Sequence, residues 1–344
     1  MRKLGLIAGV SAATLALAAC GGSSDDGGSA GDGGSASGVD MRIVNVVKLI
    51  GVGWFDRMEV GVREFADETG HDATQTGGDD ASPEKQVQII QDLLAQQPDA
   101  ITVVPNSPEA LESVLKRARD AGIIVVSHEA TNQQNIDADI EAFDNHVYGA
   151  EMAESLAQCM GEEGTYAAFV GHLTAQTHME WVEGALDHMT ENYPGITRIS
   201  DPIEAKEDEQ TAYERTKELL ISHPDLKGIQ GSASPDIAGA ARAIEEAGLE
   251  DQICVMGTSL PSIAGKYLES GAVDKMFFWD PAMAGKAMMV MAEMLVNDEE
   301  ITEGTDLGIE GYNSLKVSPD NPKVFYGDAS IAVDLSNIDE YDFI

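Results

Sequence analysis

From Met41 onward, short runs of apolar and β-branched residues alternate with longer segments of helical periodicity. This alternation predicts βα units around parallel sheets, which is an α/β fold. The pattern falls into two successive blocks, one ending near Phe143 and one covering about residues 144–278, so we expect two doubly wound parallel-sheet lobes. A helix over residues 281–296 and a polar tail with short strands follow. The predicted strands are residues 42–47, 100–104, 123–127, 166–170, 228–230, 253–256 and 276–278.

Capping residues and glycines mark the ends of the predicted helices. At four places a side chain suited to capping stands directly before a proline, as helix starts favour. These pairs are Ser82-Pro83, Ser107-Pro108, Ser234-Pro235 and Asp280-Pro281. Glycines just past helical segments indicate the helix ends. They are Gly70, Gly122, Gly161, Gly248 and Gly271.

The first forty residues have the pattern of an export signal followed by a tether. Two basic residues precede an apolar run over residues 4–19, which ends in Leu-Ala-Ala-Cys at Cys20. This resembles a bacterial lipoprotein signal, which implies that residues 1–19 are removed and that Cys20 is lipidated. The alternative, a transmembrane helix, is disfavoured because the apolar run is short. Residues 21–40 are mostly Gly, Ser, Ala and Asp, so residues 20–40 predict a flexible linker that spans about 25 Å.

The remaining part of the chain is large enough for two lobes and strongly acidic. The chain is 43% hydrophobic, and its 21 basic against 60 acidic residues give a formal charge of −39. This charge disfavours nucleic acid as a partner, because little in the chain neutralises a phosphate backbone. It also disfavours binding to an anionic membrane surface, so we expect membrane contact through the N-terminal lipid only. The acidic surface is typical of an exported protein that stays soluble.

Two cysteines, Cys159 and Cys254, remain after Cys20 is assigned to lipid. An exported protein can keep a disulfide between them. The sequence leaves open whether the two residues approach closely enough to pair. Neither has the basic neighbours or the CxxC spacing of a reactive thiol.

The candidate binding residues follow the predicted strands. In doubly wound sheets, ligands bind outside the carboxyl ends of the strands, where loops and helix N-termini converge. The residues that we expect to contact a ligand there are Lys48, Trp54, Phe55, Asp80, Asn106, His128, Glu129, Thr177, His178, Ser232, Ser234, Thr258, Trp279 and Asp280.

The loop over residues 48–55 (KLIGVGWF) has a GxG sequence, but Asp56 stands where a dinucleotide fold needs a third glycine. A nucleotide site is therefore disfavoured. The preferred interpretation is a sugar platform, in which Trp54 and Phe55 offer flat apolar faces and Lys48 donates to hydroxyls. The alternative is that the two aromatic residues cap a core.

Other candidate residues also have two interpretations. His128 and Glu129 can bind a hydroxylated ligand or act as an acid and base pair, while a histidine satisfied at a strand end is equally compatible. Trp279 can face a cleft while Asp280 caps the next helix. The other histidines lack a metal-binding spacing, and the sequence has no HExxH motif and no GxSxG elbow. We therefore expect no catalytic residues, no metal and no cofactor.

The chain resembles type I periplasmic sugar-binding proteins of ABC importers, closest to the rhamnose-binding and autoinducer-2-binding branch. The residues that carry the resemblance are 47–55 (VKLIGVGWF), 277–280 (FFWD) with Gly285-Lys286, and 337–343 (NIDEYDF). The resemblance covers essentially residues 41–343 and implies two lobes with three crossovers, near residues 143–144, near residues 279–280 and after Gly311. The lobes are then residues 41–143 plus 280–311 and residues 144–279 plus 312–344. Closure over a ligand signals to the permease.

The resemblance also limits the ligand. Lys48 matches the lysine of autoinducer-2 receptors, and Trp54-Phe55 match the aromatic pair of the family. The receptor's aspartate, aspartate, glutamine, proline and alanine correspond here to Glu129, Thr177, His178, Ser232 and Ser234. These departures favour a small neutral sugar, either a pentose or a deoxyhexose such as rhamnose, or a polyol.

The expected protein is thus a monomeric lipoprotein on the outer face of the cytoplasmic membrane. It delivers its ligand to an ABC permease without chemistry. The first alternative is an autoinducer-2 receptor for uptake or signalling. The second is an exported hydrolase.

Overall fold

The computed structural model describes residues 40–341. The predicted signal peptide, the lipidated Cys20 and all but the last residue of the linker lie outside the described residues. Among the helices that the structure does describe, we find none with the length and apolar character needed to cross a membrane.

Strands and helices alternate along most of the described chain, as predicted. The strands are β1 (Arg42–Val47), β2 (Asp72–Gly77), β3 (Ala100–Val103), β4 (Ile124–Ser127), β5 (Ala138–Glu141), β6 (Gly164–Val170), β7 (Ile196–Arg198), β8 (Ile203–Glu204), β9 (Leu226–Gly231), β10 (Cys254–Thr258), β11 (Lys275–Phe278), β12 (Lys316–Val317), β13 (Val324–Tyr326) and β14 (Ile331–Val333). The α-helices are α1 (Gly53–Thr69), α2 (Pro83–Leu94), α3 (Pro108–Asp120), α4 (Asn145–Cys159), α5 (Gln176–Asn192), α6 (Glu209–Ser222), α7 (Asp236–Ala247), α8 (Pro261–Ser270) and α9 (Pro281–Val296).

The strands form two sheets, each with helices packed against it. The first sheet has the order β12-β13-β5-β4-β3-β1-β2, and all of its pairs are parallel except β12 with β13. The second has the order β14-β11-β10-β9-β6-β7, with β8 also beside β6 and β14 antiparallel. The central strands are apolar and buried because helices cover both faces. The prediction of two doubly wound parallel-sheet lobes is confirmed.

We call the first sheet with α1, α2, α3 and α9 the first lobe, and the second sheet with α4 to α8 the second lobe. The chain crosses between the lobes after β5 and again after β11, near the predicted positions. The predicted assignment of all of residues 312–344 to the second lobe is wrong: β12 and β13 pair with the first sheet, and only β14 joins the second. The third crossover therefore lies between Tyr326 and Ile331. The short tail strands carry too few residues for the sequence to show which sheet they join.

Three of the four predicted helix caps are confirmed. Ser82, Ser107 and Asp280 each accept a hydrogen bond from a backbone N–H in the first turn of their helix. Ser234 does not cap a helix, because α7 begins two residues later and Pro235 occupies the N-cap position. The carboxylate of Asp236 instead turns back to the loop before α7.

The packing of α1 on α9 places two aromatic residues side by side. A Cβ atom added to Gly61 on α1 would lie 1.8 Å from the backbone oxygen of Ala282 on α9, so only glycine permits this close approach. Trp54 at the start of α1 and Trp279 just before α9 are therefore brought into ring contact. Both side chains are buried.

The structure joins the two cysteines that the sequence left open. Cys159 at the end of α4 and Cys254 at the start of β10 form a disulfide, with their Cα atoms 6.1 Å apart. This bond lies at the amino end of β10, at the opposite end of the strand from Thr258.

Candidate functional site

A cavity lies at the carboxyl ends of the strands and is lined by both lobes. The residues that line it are Lys48, Trp54, Phe55, Glu129, His178, Trp181, Glu207, Ser232, Ala233, Ser234, Thr258 and Trp279. Nine of the fourteen predicted ligand contacts are among them: Lys48, Trp54, Phe55, Glu129, His178, Ser232, Ser234, Thr258 and Trp279. The cavity is small, with about 20 Å³ for water-sized molecules. The two lobes therefore close tightly around it.

Lys48 is the cationic centre of the cavity. It follows β1, and its Nζ donates to Glu129 Oε2 at 2.6 Å. Glu207 Oε1 lies 3.8 Å from the same nitrogen. Burial by itself lowers the pKa of the Lys48 ammonium, but the charges of Glu129 and Glu207 outweigh burial and hold that pKa above its ordinary value. Lys48 is therefore a charged donor at neutral pH.

The two carboxylates that face Lys48 are held by unusual backbone geometry. Glu129 follows β4 with a φ of 59°, and Glu207 follows β8 with a φ of 58°. Left-handed backbone is uncommon for residues other than glycine, and such residues cluster at functional sites. Both side chains are nevertheless buried. The fold thus accepts local strain to place two acceptors at one point.

His178 brings a second donor from the other lobe. It lies in the first turn of α5, and its Nδ1 accepts the backbone N–H of Gly171 at 3.1 Å. Burial, followed by the charge of Lys48, lowers the pKa of His178 well below its ordinary value, so the ring is neutral. Because Nδ1 is an acceptor, the single ring proton lies on Nε2, which faces the Lys48 ammonium at 3.4 Å.

Aromatic side chains form the apolar wall. The rings of Trp54 and Trp279 lie 4.7 Å apart in an edge-to-face arrangement, and Trp181 lies 5.7 Å from Trp279. Trp181 Nε1 donates to Asn145 Oδ1 at 2.8 Å, whereas Trp279 Nε1 is buried without a hydrogen-bond partner. Flat apolar faces of this kind pack against the C–H groups of a sugar ring.

A loop after β9 completes the polar lining. Asp236 Oδ2 accepts the backbone N–H groups of Ser232 and Ala233, which fixes the loop. The Oγ of Ser232 is buried and has no hydrogen-bond partner. The Thr258 hydroxyl is 3.0 Å from the Tyr148 hydroxyl. The cavity therefore combines donors, acceptors and apolar faces, the set that binds a polyhydroxylated molecule.

Five predicted contacts lie outside the cavity lining. Asp80 is exposed and pairs with Lys85, while Asp280 caps α9 and forms an ion pair with Arg57. Asn106, His128 and Thr177 are buried nearby, each with one polar side-chain atom that lacks a hydrogen-bond partner. A ligand contact for these five residues stays a prediction.

Three of the lining residues were not among the contacts predicted from the sequence: Trp181, Glu207 and Ala233. Trp181 lies three residues after His178 on α5, and this helical spacing is a signal that places both on one face. Glu207 lies in the acidic segment 204–209, where nothing distinguishes it from Glu204 or Glu209.

Among the described residues, one group of side chains lies close enough together to hold a metal ion. Cys159, Cys254 and Asp274 lie close together, but the two sulfur atoms are bonded to each other. Thiolate ligands are therefore not available in this oxidised form.

Comparison with known proteins places the chain in a family. The model of the family described as "Periplasmic binding protein domain" matches residues 43–300. The D-ribose/D-allose-binding protein of Pseudomonas aeruginosa is 25% identical over 63% of this chain and 70% of its own length.

Two solved structures share the fold. A solute-binding protein from Clostridium phytofermentas with bound L-rhamnose has a TM-score of 0.81 and 21% identity, over 88% of this chain and 98% of its own. LsrB from Clostridium saccharobutylicum in complex with AI-2 has a TM-score of 0.81 and 19% identity, over 88% of this chain and 100% of its own. The predicted resemblance to type I periplasmic sugar-binding proteins is confirmed. The chain belongs to the periplasmic binding protein family, whose members are solute-binding components of ABC transporters and not enzymes.

Proposed function

We propose that this protein captures a small neutral sugar or a polyol between its lobes and delivers it to the transmembrane subunits of an ABC importer. The sugar is a pentose or a deoxyhexose such as rhamnose. The observation that carries the proposal is the cavity itself, where Lys48, Glu129 and His178 meet an aromatic wall at the junction of the lobes. Similarity to a D-ribose/D-allose-binding protein supports a sugar ligand.

The volume of the cavity supports a mechanism of opening and closing. About 20 Å³ is far below the roughly 300 Å³ of a small ligand pocket, so a sugar enters only if the lobes move apart. Direct contacts hold the lobes together here: Thr174 Oγ1 donates to Asn106 O at 3.2 Å, and Asn132 Nδ2 donates to Gln176 Oε1 at 2.9 Å. A ligand that contacts both lobes favours the closed form, and the permease recognises that form.

Intrinsic fluorescence tests the binding function directly. The sequence has three tryptophans, and all three line the cavity. In titrations with pentoses, deoxyhexoses and polyols, the true ligand should change the tryptophan emission. That ligand should be recovered chemically intact after binding. Thermal unfolding gives a second readout, because ligand at 100 times its Kd adds about 2.7 kcal/mol to the free energy of unfolding. A full panel without any response would contradict the proposal.

A receptor for autoinducer-2 is the second candidate. It is favoured by Lys48 at the centre of the cavity and by structural similarity to LsrB with AI-2. Glu129, His178 and Ser232 stand where the receptor pattern has other residues, so the polar contacts differ. Release of autoinducer-2 on denaturing protein purified from producing cells would favour this candidate over a sugar receptor.

Members of the family are exported, and we propose that this one acts as a monomer anchored by a lipid on Cys20 at the outer face of the cytoplasmic membrane. The lipobox at residues 17–20 supports the anchor. On expression in a bacterial host with labelled palmitate, Cys20→Ser should incorporate no label, while Cys159→Ser should be labelled like the wild type. A wild-type protein without label, or a labelled Cys20→Ser variant, would contradict the lipid anchor.

A further inference from the structure

Glu207 is a buried carboxylate in the cavity, and one of its oxygens has no hydrogen-bond partner. Its side chain is 6% exposed, and its Oε1 has no hydrogen-bond partner. The nearest cation, Lys48 Nζ, lies 3.8 Å away and already donates to Glu129 Oε2 at 2.6 Å. An ionised acceptor without a hydrogen bond is costly in a buried site, so a group that donates to it is strongly favoured.

The backbone is built to aim this carboxylate into the cavity. Lys206 and Glu207 are consecutive residues with positive φ, at 61° and 58°. Gly171 makes room for the side chain, because an added Cβ would lie 2.3 Å from Glu207 Oε1. The left-handed backbone and the glycine at position 171 therefore both help to place the Glu207 carboxylate.

The charges that line the cavity are unbalanced. Lys48 is the one basic ammonium or guanidinium group among the lining residues, and His178 is neutral there. Glu129 and Glu207 are both acidic, so the lining carries two negative groups against one positive group when both are ionised. A ligand with its own negative charge meets a net negative surface in a site of low dielectric.

We propose that Glu207 is a ligand-binding residue of the second lobe that accepts a hydrogen bond from a ligand hydroxyl and makes the site reject acidic sugars. This inference rests on the proposed function. The ligand is then uncharged and polyhydroxylated. Uronic acids, aldonic acids and sugar phosphates are excluded from the site. A hydroxyl donates a proton to the free Oε1, whereas a carboxylate or phosphate offers acceptors only and repels both glutamates.

The electrostatics of Glu207 agree with this role. Burial raises the pKa of Glu207, Lys48 opposes that rise and Glu129 adds to it. When Glu207 is ionised, a hydrogen-bond donor therefore stabilises its carboxylate. In the protonated form it donates to a hydroxyl oxygen. Either form accepts a neutral hydroxylated ligand.

The test compares the best neutral sugar of the panel with the corresponding uronic or aldonic acid, by calorimetry at pH 7. The wild-type protein should bind the acid at least about tenfold more weakly. Glu207→Gln should weaken binding of the neutral sugar by about tenfold and narrow the gap between sugar and acid. Glu209→Gln is the matched control, since it removes a partly exposed carboxylate two residues away that pairs with Arg242 outside the cavity, and it should leave both affinities unchanged.

A second variant tests the position of the Glu207 carboxylate without replacing Glu207. Gly171→Ala keeps the backbone N–H that His178 accepts but displaces the end of the Glu207 side chain, so it should reproduce the loss of sugar binding. Equal binding of sugar and acid by the wild type, or unchanged sugar affinity in both variants, overturns the role of Glu207. If the wild type binds no neutral sugar or polyol at all, the proposed function fails instead.

Discussion

Lys48 Nζ and His178 Nε2 lie 3.4 Å apart across the two lobes, and both nitrogens carry protons. Lys48 stays charged, while the backbone N–H of Gly171 fixes the histidine proton on Nε2. Two donors that face each other cannot satisfy one another, but both can donate to one oxygen atom that lies to the side of the line joining them. Under the proposed function, a ligand hydroxyl at this point would contact both lobes and so favour their closure.

Replacement of His178 tests this bridge. His178→Ala removes one of the two donors, so we expect ligand affinity to fall by about tenfold or more. His188→Ala is the matched control, because His188 lies further along α5 and pairs with Glu154 near the surface. Calorimetric titration measures the ligand affinity of both variants. Equal losses in the two variants would indicate an effect on α5 as a whole and not on the site.

Two cavity tryptophans should respond differently to the same change. Trp279→Phe and Trp181→Phe each shrink a buried ring, but Trp279→Phe removes an indole N–H that has no partner within the protein, so affinity should fall and the stability loss should be the smaller of the two. Trp181→Phe removes the donor to Asn145 Oδ1 and should destabilise the fold by about 1–3 kcal/mol. Urea unfolding and ligand titration of each variant separate the two effects. A stability loss for Trp279→Phe equal to that for Trp181→Phe would contradict this assignment.

The sequence predicted the framework of the site because strand ends are visible in it. The apolar runs before Lys48 and His128 have a clear length, and the polar residues that follow them mark the carboxyl edge of the sheet. The Ser107 and Asp280 caps were likewise visible, because their side chains act within one turn of their own helix.

Features that depend on distant parts of the chain were not predictable in this way. Glu207 enters the cavity through a left-handed backbone and the space beside Gly171, neither of which an acidic segment reveals. The pairing of β13 with β5 joins residues far apart in sequence, so β12 and β13 were assigned to the wrong lobe. The disulfide was not predictable because it depends on how closely α4 and β10 approach each other, which the sequence does not show.

The stability of the protein should depend on pH through Asp236. Burial, followed by the charge of Glu207, raises the pKa of Asp236 from 3.8 to about 8 in the folded state. Between these two values the folded protein holds a proton that the unfolded chain releases, so the contribution of this group to stability falls as pH rises through that window. Asp236→Asn has no such titration.

Thermal unfolding at pH 5 and pH 9 checks this dependence. The stability of Asp236→Asn relative to the wild type should increase from pH 5 to pH 9, whatever the offset at pH 5. Asp251→Asn removes a charge from an exposed position and serves as the control, with the same offset at both values. An offset for Asp236→Asn that does not change with pH would contradict the buried titration.

The disulfide should stabilise the second lobe without affecting ligand binding. It links residues separated by 95 positions, and a loop of this length predicts a loss of about 2–5 kcal/mol when the bond is removed. The double variant Cys159→Ser/Cys254→Ser should therefore unfold at lower temperature than the wild type. Its Kd for the ligand should be unchanged, because Cys254 and Thr258 lie at opposite ends of β10, roughly 13 Å apart. Treatment of the wild type with dithiothreitol should reproduce the loss and leave the double variant unaffected. A double variant with wild-type thermal stability, or with weaker ligand binding at a temperature where it is folded, would contradict this separation of stability from binding.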